Sequence, residues 1–277
     1  MTKLTIGTTV YDDYDGLYFT IQSIRLNNPE ILNRIEFVII NNNPSSTSGK
    51  EIRRMLDWIE EPVTYLEFSK YNTPFLKGRV FDLADTEYVL VLDCHVLLDP
   101  GCLTKLLNFY DQKKDKGNLL QGPLIYDNLT GIATHYDLSK WGSHMWGVWA
   151  TDKRGLDKNA EPFEIPAQGM GLFSCRKSSW LGFNKAFRGF GGEEGYIHEK
   201  YRNYGRKTLC LPFLRWLHRF GRPNGPTFKP NIKDKFRNYM IGFRETGKDT
   251  AEVIEQFKDV ISKEYIQTVE QELLQIT

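Results

Sequence analysis

The chain has 277 residues, of which 40% are apolar and 13% aromatic, enough hydrophobic surface for a globular protein with one large core or two small ones. Its 36 Lys and Arg nearly cancel 35 Asp and Glu, which excludes a global field drawing it to nucleic acid or an anionic membrane, so partner choice rests on a local site. With no run of 18 apolar residues, no leader-like h-region and no CxxC among Cys94, Cys102, Cys175 and Cys210, the expectation is a soluble cytoplasmic protein without a membrane span, disulfide scaffold or structural zinc.

In chain order, LTIGTTV (4–10) reads as a β-branched strand. A polar YDDYDG loop follows, and LYFTIQSIRLNN then has helical apolar spacing. FVII (37–40) is a short buried strand that runs into three Asn and a Ser/Thr/Gly loop, and KEIRRMLDWIEE is the next helix. VTYLEF is a third strand, and TPFLKGRVFDLADTE reads as a helix after Pro74. YVLVLD (88–93) is a strand of nearly continuous hydrophobicity, as expected at the centre of a parallel sheet. DPGCLTKLLNFYDQK supplies another helix, with Asp99-Pro100 as the expected cap and first-turn proline. This βαβαβαβ order predicts a doubly wound α/β unit over about residues 1–115, with ligands at the carboxyl ends of its strands.

Beyond residue 115 the regularity breaks. NLLQGPLIYD reads as one strand, and THYDLSKWGSHMWGVWATDKRG as an aromatic-rich, irregular strand region. AQGMGLFSCRKSSWLGF gives a Gly-rich turn and a short strand, a helix begins near Glu193, and TLCLPFLRWLHR gives a further strand. DTAEVIEQFKDVISKEYIQTVEQELLQ has the apolar spacing of one or two amphipathic helices. The expected organisation is a single domain with a nucleotide-binding half (1–115), a catalytic and acceptor half (116–225) and a helical extension (226–277).

Three stretches carry chemistry. Asp93 and His95 end the central strand on the same side of an extended chain, a competent pair for a divalent metal, although a turn-capping Asp and a carbonyl-bonded His fit the same two residues. In GFGGEEG, two glycines let the backbone pass close to a ligand. Glu193 and Glu194 then open a helix, where acids also favour the dipole. Trp141, His144, Trp146 and Trp149 form an aromatic cluster that suits stacking on a sugar or a base, or the packing of a β region.

LDCH, GMGLFSCRKSSW, GFGGEEGYIHEKYRNYGRK and WLHRFGR, in that order over about residues 3–225, resemble the GT-A fold glycosyltransferases of family 2. The DxH variant of their acidic motif is similar to that of the polypeptide N-acetylgalactosaminyltransferases. This resemblance implies a Rossmann-like, mostly parallel sheet fused to an acceptor half. The implied activity is that of a hexosyltransferase using Mn2+ or Mg2+ and a nucleotide-sugar donor, a UDP-sugar foremost. Asp93, His95 and His218 would be the metal ligands. Thr8, Thr9, Tyr11, Asn41, Asn43, Lys77, Arg79, Gly169, Met170 and Gly171 would line the donor site, after Gln168. Asn41, Asn42 and Asn43 replace the family's usual Asp pair.

By the same resemblance, Arg219 and Arg222 in HRFGRPNGP would close over the donor. Glu194 would be the base of an inverting transfer, Glu193 would orient hydroxyls, and the tryptophan cluster with His144 would meet the acceptor, whether glycan, protein hydroxyl or modified nucleobase. Retention, as in the N-acetylgalactosaminyltransferases, is the alternative outcome. A sugar nucleotidyltransferase would show a Gly-rich phosphate loop after the first strand, which TTVYDDYDG lacks. A carbohydrate- or nucleic-acid-binding module would not need Asp93, His95 and Glu194 to converge.

Overall fold

The computed structural model describes residues 3–70, 74–222, 228 and 230–275. The amino-terminal part runs β1 (Leu4–Val10), α1 (Tyr14–Asn27), β2 (Ile35–Asn41), α2 (Thr47–Met55), β3 (Val63–Glu67), α3 (Lys77–Leu83), β4 (Tyr88–Asp93), β5 (Val96–Leu98) and α4 (Cys102–Asp111). The middle part holds β6 (Leu119–Gln121), β7 (Leu124–Ile125), β8 (Ile132–Ala133), β9 (His135–Gly142), β10 (Met145–Ala150), β11 (Phe163–Glu164) and β12 (Leu172–Arg176). The last part holds α5 (Glu193–Asn203), β13 (Thr208–Cys210), β14 (Trp216–His218), α6 (Ile232–Glu245), α7 (Thr250–Phe257) and α8 (Lys263–Leu273).

The main sheet has the order β11-β13-β6-β12-β4-β1-β2-β3. Strands β4, β1, β2 and β3 are parallel, as the βαβ alternation predicts, and β12 joins β4 antiparallel. Alternation along each strand splits the core between the two faces. Phe37, Ile39, Leu90 and Leu92 face one cluster with residues of α1, α2 and α4, while Val38, Ile40, Val89 and Val91 face another with residues of α3 and α5–α8. Both faces are covered, which is why YVLVL carries no polar residue.

Several boundaries differ from expectation for local reasons. Asp99 does not cap α4; Gly101, at φ 69°, does so without a side-chain bond. NLLQGPLIYD is two strands, because the chain leaves the main sheet at Gly122-Pro123 and enters a four-stranded sheet of order β5-β14-β7-β8. TLCLPFLRWLHR divides in the same way, β13 pairing with β6 and β14 with β5 and β7. The aromatic region is a regular hairpin of β9 and β10 with a register shift between Trp146 and Val148. Helix α6 was not read from the sequence beyond its lying within the helical extension; eight of its residues are buried.

Gly122 sits where the two sheets separate. Its carbonyl accepts the Trp216 indole N–H at 2.8 Å and the Gln168 amide at 3.0 Å. A Cβ there would lie 1.7 Å from the Leu214 carbonyl oxygen, backbone that cannot rotate away. Gly122→Ala is therefore expected to cost about 3 kcal/mol, the upper end for overpacking, seen as a lower urea midpoint, and an unchanged midpoint would refute the clash.

Candidate active site

The carboxyl ends of β1, β2 and β4 open into a cavity of about 370 Å3. Thr9 and Tyr11 come from the end of β1, Asn42 from the end of β2 and Asp93 from the end of β4. Gly169, Met170 and Gly171 lead into β12 on the same wall, and α5 contributes Glu193 and Glu194.

Sheet pairing creates the first cluster. Strand β14 runs antiparallel to β5 with His218 opposite Val96, so His218 meets His95 from across the sheet. The chain turns at 94–95 rather than staying extended, yet His95 still reaches the site. His218 Nε2 lies 3.2 Å from His95 Nε2 and 3.4 Å from Asp93 Oδ2, and the ligand atoms of all three residues fall within 4.8 Å of one another. Two imidazole nitrogens at that separation repel unless a proton or a cation lies between them. One carboxylate oxygen and two imidazole nitrogens form a donor set that fits a divalent transition metal.

Burial alone would raise the Asp93 carboxyl, but the Lys77 ammonium and the His218 hydrogen bond outweigh it and hold the group well below the usual carboxylate range. Lys77 Nζ lies 2.6 Å from Asp93 Oδ1 and donates to the Met170 carbonyl at 2.9 Å, which ties β4 to the Gly-rich segment. Burial pushes the His218 imidazole down, against the pull of Asp93. A neutral imidazole is the form that ligates metal.

The second cluster starts α5. Gly191 and Gly192 take φ of 98° and 95°, a turn that only glycine makes without strain, and it delivers the two carboxylates into the cavity wall. Glu193 is 3% exposed. Burial, and then the neighbouring Glu194 charge, push its carboxyl far above the usual range, while burial is the main cause that raises Glu194. The Lys77 and Lys235 charges oppose both shifts. One oxygen of each glutamate is buried without a hydrogen-bond partner, which leaves both able to accept from a ligand.

Residues 5–179 match the family described as Glycosyl transferase family 2. The chain belongs to that family. Curated protein sequences give no match. Among solved structures, the family 2 domain superposes on GalNAc-T7 with UDP, GalNAc and Mn2+ at a TM-score of 0.67 and 16% identity, covering 94% of this chain and 54% of that one. It thus spans about half the length of that relative. Staphylococcus aureus TarS 1-349 in complex with UDP-GlcNAc gives 0.57 at 11% identity, over 92% of this chain and 70% of that one. A mannosyltransferase from Pyrobaculum calidifontis in complex with GDP-Man and Mn2+ gives 0.59 at 10%, over 97% and 79%. At these identities the likeness carries the fold, the GT-A arrangement that the four motifs led us to expect.

Not every residue assigned to the family 2 site reaches the cavity. Arg79 lies on the exposed face of α3, paired with Asp82 at 2.7 Å, because two residues along a helix rotate it away from Lys77. Asn41 is consumed beneath the sheet edge by the Gly49 carbonyl and the Tyr65 hydroxyl, and Asn43 bonds Asp12; the amide that lines the cavity is Asn42. Thr8 is buried and does not line it. Trp141 bonds Glu252 and packs against Tyr239 and Phe243, His144 packs on Phe257, and Trp146 is buried against Phe243 with its backbone N–H donating to the Tyr239 hydroxyl. Of that cluster Trp149 alone lines the cavity, beside Tyr136.

Arg222 lines the cavity, whereas Arg219 lies behind it on Asp13 at 2.8 Å. Residues 223–226 of the loop expected to close over the donor lie outside the described residues. Sequence reasoning missed Tyr136, Met145, Phe190 and Phe220 of the lining, and missed Asp13 altogether. Asp13 lies three residues past the end of β1, near the edge where a doubly wound sheet binds ligands, but its place before a helix also fits an ordinary cap.

Proposed function

We propose that the protein is a metal-dependent glycosyltransferase that moves a sugar from a UDP-sugar to an acceptor hydroxyl with inversion. The observation that carries this reading is the convergence of Asp93, His95 and His218 with Glu193 and Glu194 on one cavity. Asp93, His95 and His218 would hold Mn2+ or Mg2+, which supplies Lewis-acid stabilisation to the diphosphate leaving group. Three solved relatives hold UDP, UDP-GlcNAc or GDP-Man, and two of them Mn2+, which supports a nucleotide-sugar donor.

The donor would lie over Thr9, Tyr11 and Asn42, with Lys77 and Arg222 against its phosphates and Gly169–Gly171 making room for the sugar. Glu194 accepts the proton of the attacking hydroxyl and Glu193 orients the hydroxyls of sugar or acceptor. Trp149, Tyr136 and Met145 present an apolar wall to the acceptor. The first 115 residues supply most of the donor site, and the part after them adds Gly169–Gly171, His218 and Arg222 to it and carries the glutamate pair and the acceptor wall. No helix among the described residues is long and apolar enough to cross a membrane.

The test pairs two measurements. Mn2+ together with UDP is expected to raise the melting temperature more than either alone, and UDP-sugar hydrolysis is expected to require the metal. No stabilisation by UDP with Mn2+ and no metal-dependent hydrolysis of any UDP-sugar would remove the reading. The DxH pattern shared with the N-acetylgalactosaminyltransferases keeps retention as the second outcome, and the anomeric configuration of the product by NMR separates the two.

A further inference from the structure

Neither the metal triad nor the glutamate pair accounts for Asp13. It caps α1, with Oδ1 accepting the Gly16 N–H at 3.1 Å, and its side chain is 7% exposed. The same carboxylate reaches two further parts of the chain. Oδ1 accepts from Arg219 Nη2 at 2.8 Å. Oδ2 stands 3.0 Å from His95 Nδ1, 3.8 Å from Arg222 Nη1 and 3.9 Å from Cys94 Sγ.

Among the described residues, two groups have the donor atoms to hold a cation, Asp93–His95–His218 and Asp13–Cys94–His95, and they share His95. Charge and occupancy decide between them. Both Asp13 oxygens already have hydrogen-bond donors, and two guanidinium groups stand against them, so a divalent ion there would meet two positive charges and would have to displace those donors. Asp93 gives one oxygen to Lys77 and turns the other toward the imidazoles. Asp13 therefore acts on His95 rather than on a metal.

We propose that Asp13 is a positioning residue that fixes the His95 tautomer. A carboxylate 3.0 Å from Nδ1 can only accept, so the ring proton sits on Nδ1 and the Nε2 lone pair is left facing His218 and Asp93. Asp13 also ties that ring to the segment after β14. The Arg219 N–H donates to the His95 carbonyl at 3.1 Å while the Arg219 side chain holds Asp13, so one carboxylate locks ligand, strand pair and arginines together. The helix does not require this residue, since Asn caps as well as Asp. The imidazole and the guanidiniums require the charge. For the metal-binding consequence, the inference rests on the reading of Asp93, His95 and His218 given above.

Asp13→Asn keeps the cap and removes the charge. Nitrogen-15 NMR of the metal-free protein is expected to show His95 protonated on Nδ1 in the wild type, with that preference lost in Asp13→Asn. Calorimetric Mn2+ titration is expected to show affinity weakened 10- to 100-fold in the variant. A capping role alone would spare Asp13→Asn and impair only Asp13→Ala, so wild-type Mn2+ affinity and an unchanged His95 tautomer in Asp13→Asn overturn the proposal. A wild-type His95 protonated on Nε2 overturns it too, and this measurement needs no variant to fold. If the wild type binds no Mn2+ while the tautomer still depends on Asp13, the metal reading falls and the positioning role stands.

Discussion

Asp93→Ala is expected to abolish Mn2+ binding and to lower metal-dependent turnover of a UDP-sugar by about 10³-fold, the rate equivalent of the several kcal/mol that a positioned cation contributes to a leaving group. Asp93 is the sole carboxylate of the triad, and its Oδ1 also neutralises Lys77, which is 6% exposed. Removing it strands a buried ammonium. The variant should therefore also lose about 3–5 kcal/mol of stability, a cost that a second substitution, Lys77→Met, should largely return. The linkage has a definite sign. A carboxyl held below its unfolded range stabilises the fold above that range and loses this contribution as pH falls through the folded value, so acid should destabilise the wild type more than Asp93→Asn/Lys77→Met. Calorimetric Mn2+ titration and melts between pH 3 and 7 check both effects. Wild-type Mn2+ affinity in Asp93→Ala would end the assignment of this carboxylate as ligand.

The parts of the site that were legible are those that strand periodicity and turn chemistry determine locally. YVLVLD had to be a central strand because both its faces are covered, and a strand end in a doubly wound sheet presents its next residues to the ligand edge. GFGG followed by two acids had to be a sharp entry into a helix, and it is. What failed were choices between neighbours that only packing decides. Asn41 and Asn42 are alike as residues, but the first is claimed by α2 and β3 and the second faces the cavity. Alternation along β10 puts Trp149 on the cavity side, opposite Trp146, and α6 and α7 cover Trp141 and His144 on the other. That covering layer lies a hundred residues away in sequence, so no local pattern announced it. Asp13 was hidden for the opposite reason, because a helix cap is a sufficient local explanation for an acid at that position.

Glu194→Gln is expected to reduce transfer by about 10²–10⁴-fold while Mn2+ and UDP still bind, since removing a general base leaves the donor site intact. The same substitution at Glu193 should mainly raise the KM for sugar or acceptor, because the proposed role of that side chain is to orient hydroxyls and not to accept the proton. The wild-type pH profile carries the signature of the pair. Both carboxyls are raised by burial, and Glu193 further by the Glu194 charge, so the fraction able to accept a proton grows only as pH climbs past the ordinary glutamate range. The ascending limb of kcat should thus lie closer to neutrality than that of a solvent-exposed glutamate. Stability should run the other way. A group whose folded value is raised stabilises the protonated fold, so stability falls as pH rises through that value, and Glu193→Gln should flatten the decline. Lys77 and Lys235 limit the shift from two sides, α3 and α6, and removing Lys235 should move the kcat limb further upward. Rates that are independent of pH across this range, together with wild-type transfer by Glu194→Gln, would assign the proton to another acceptor.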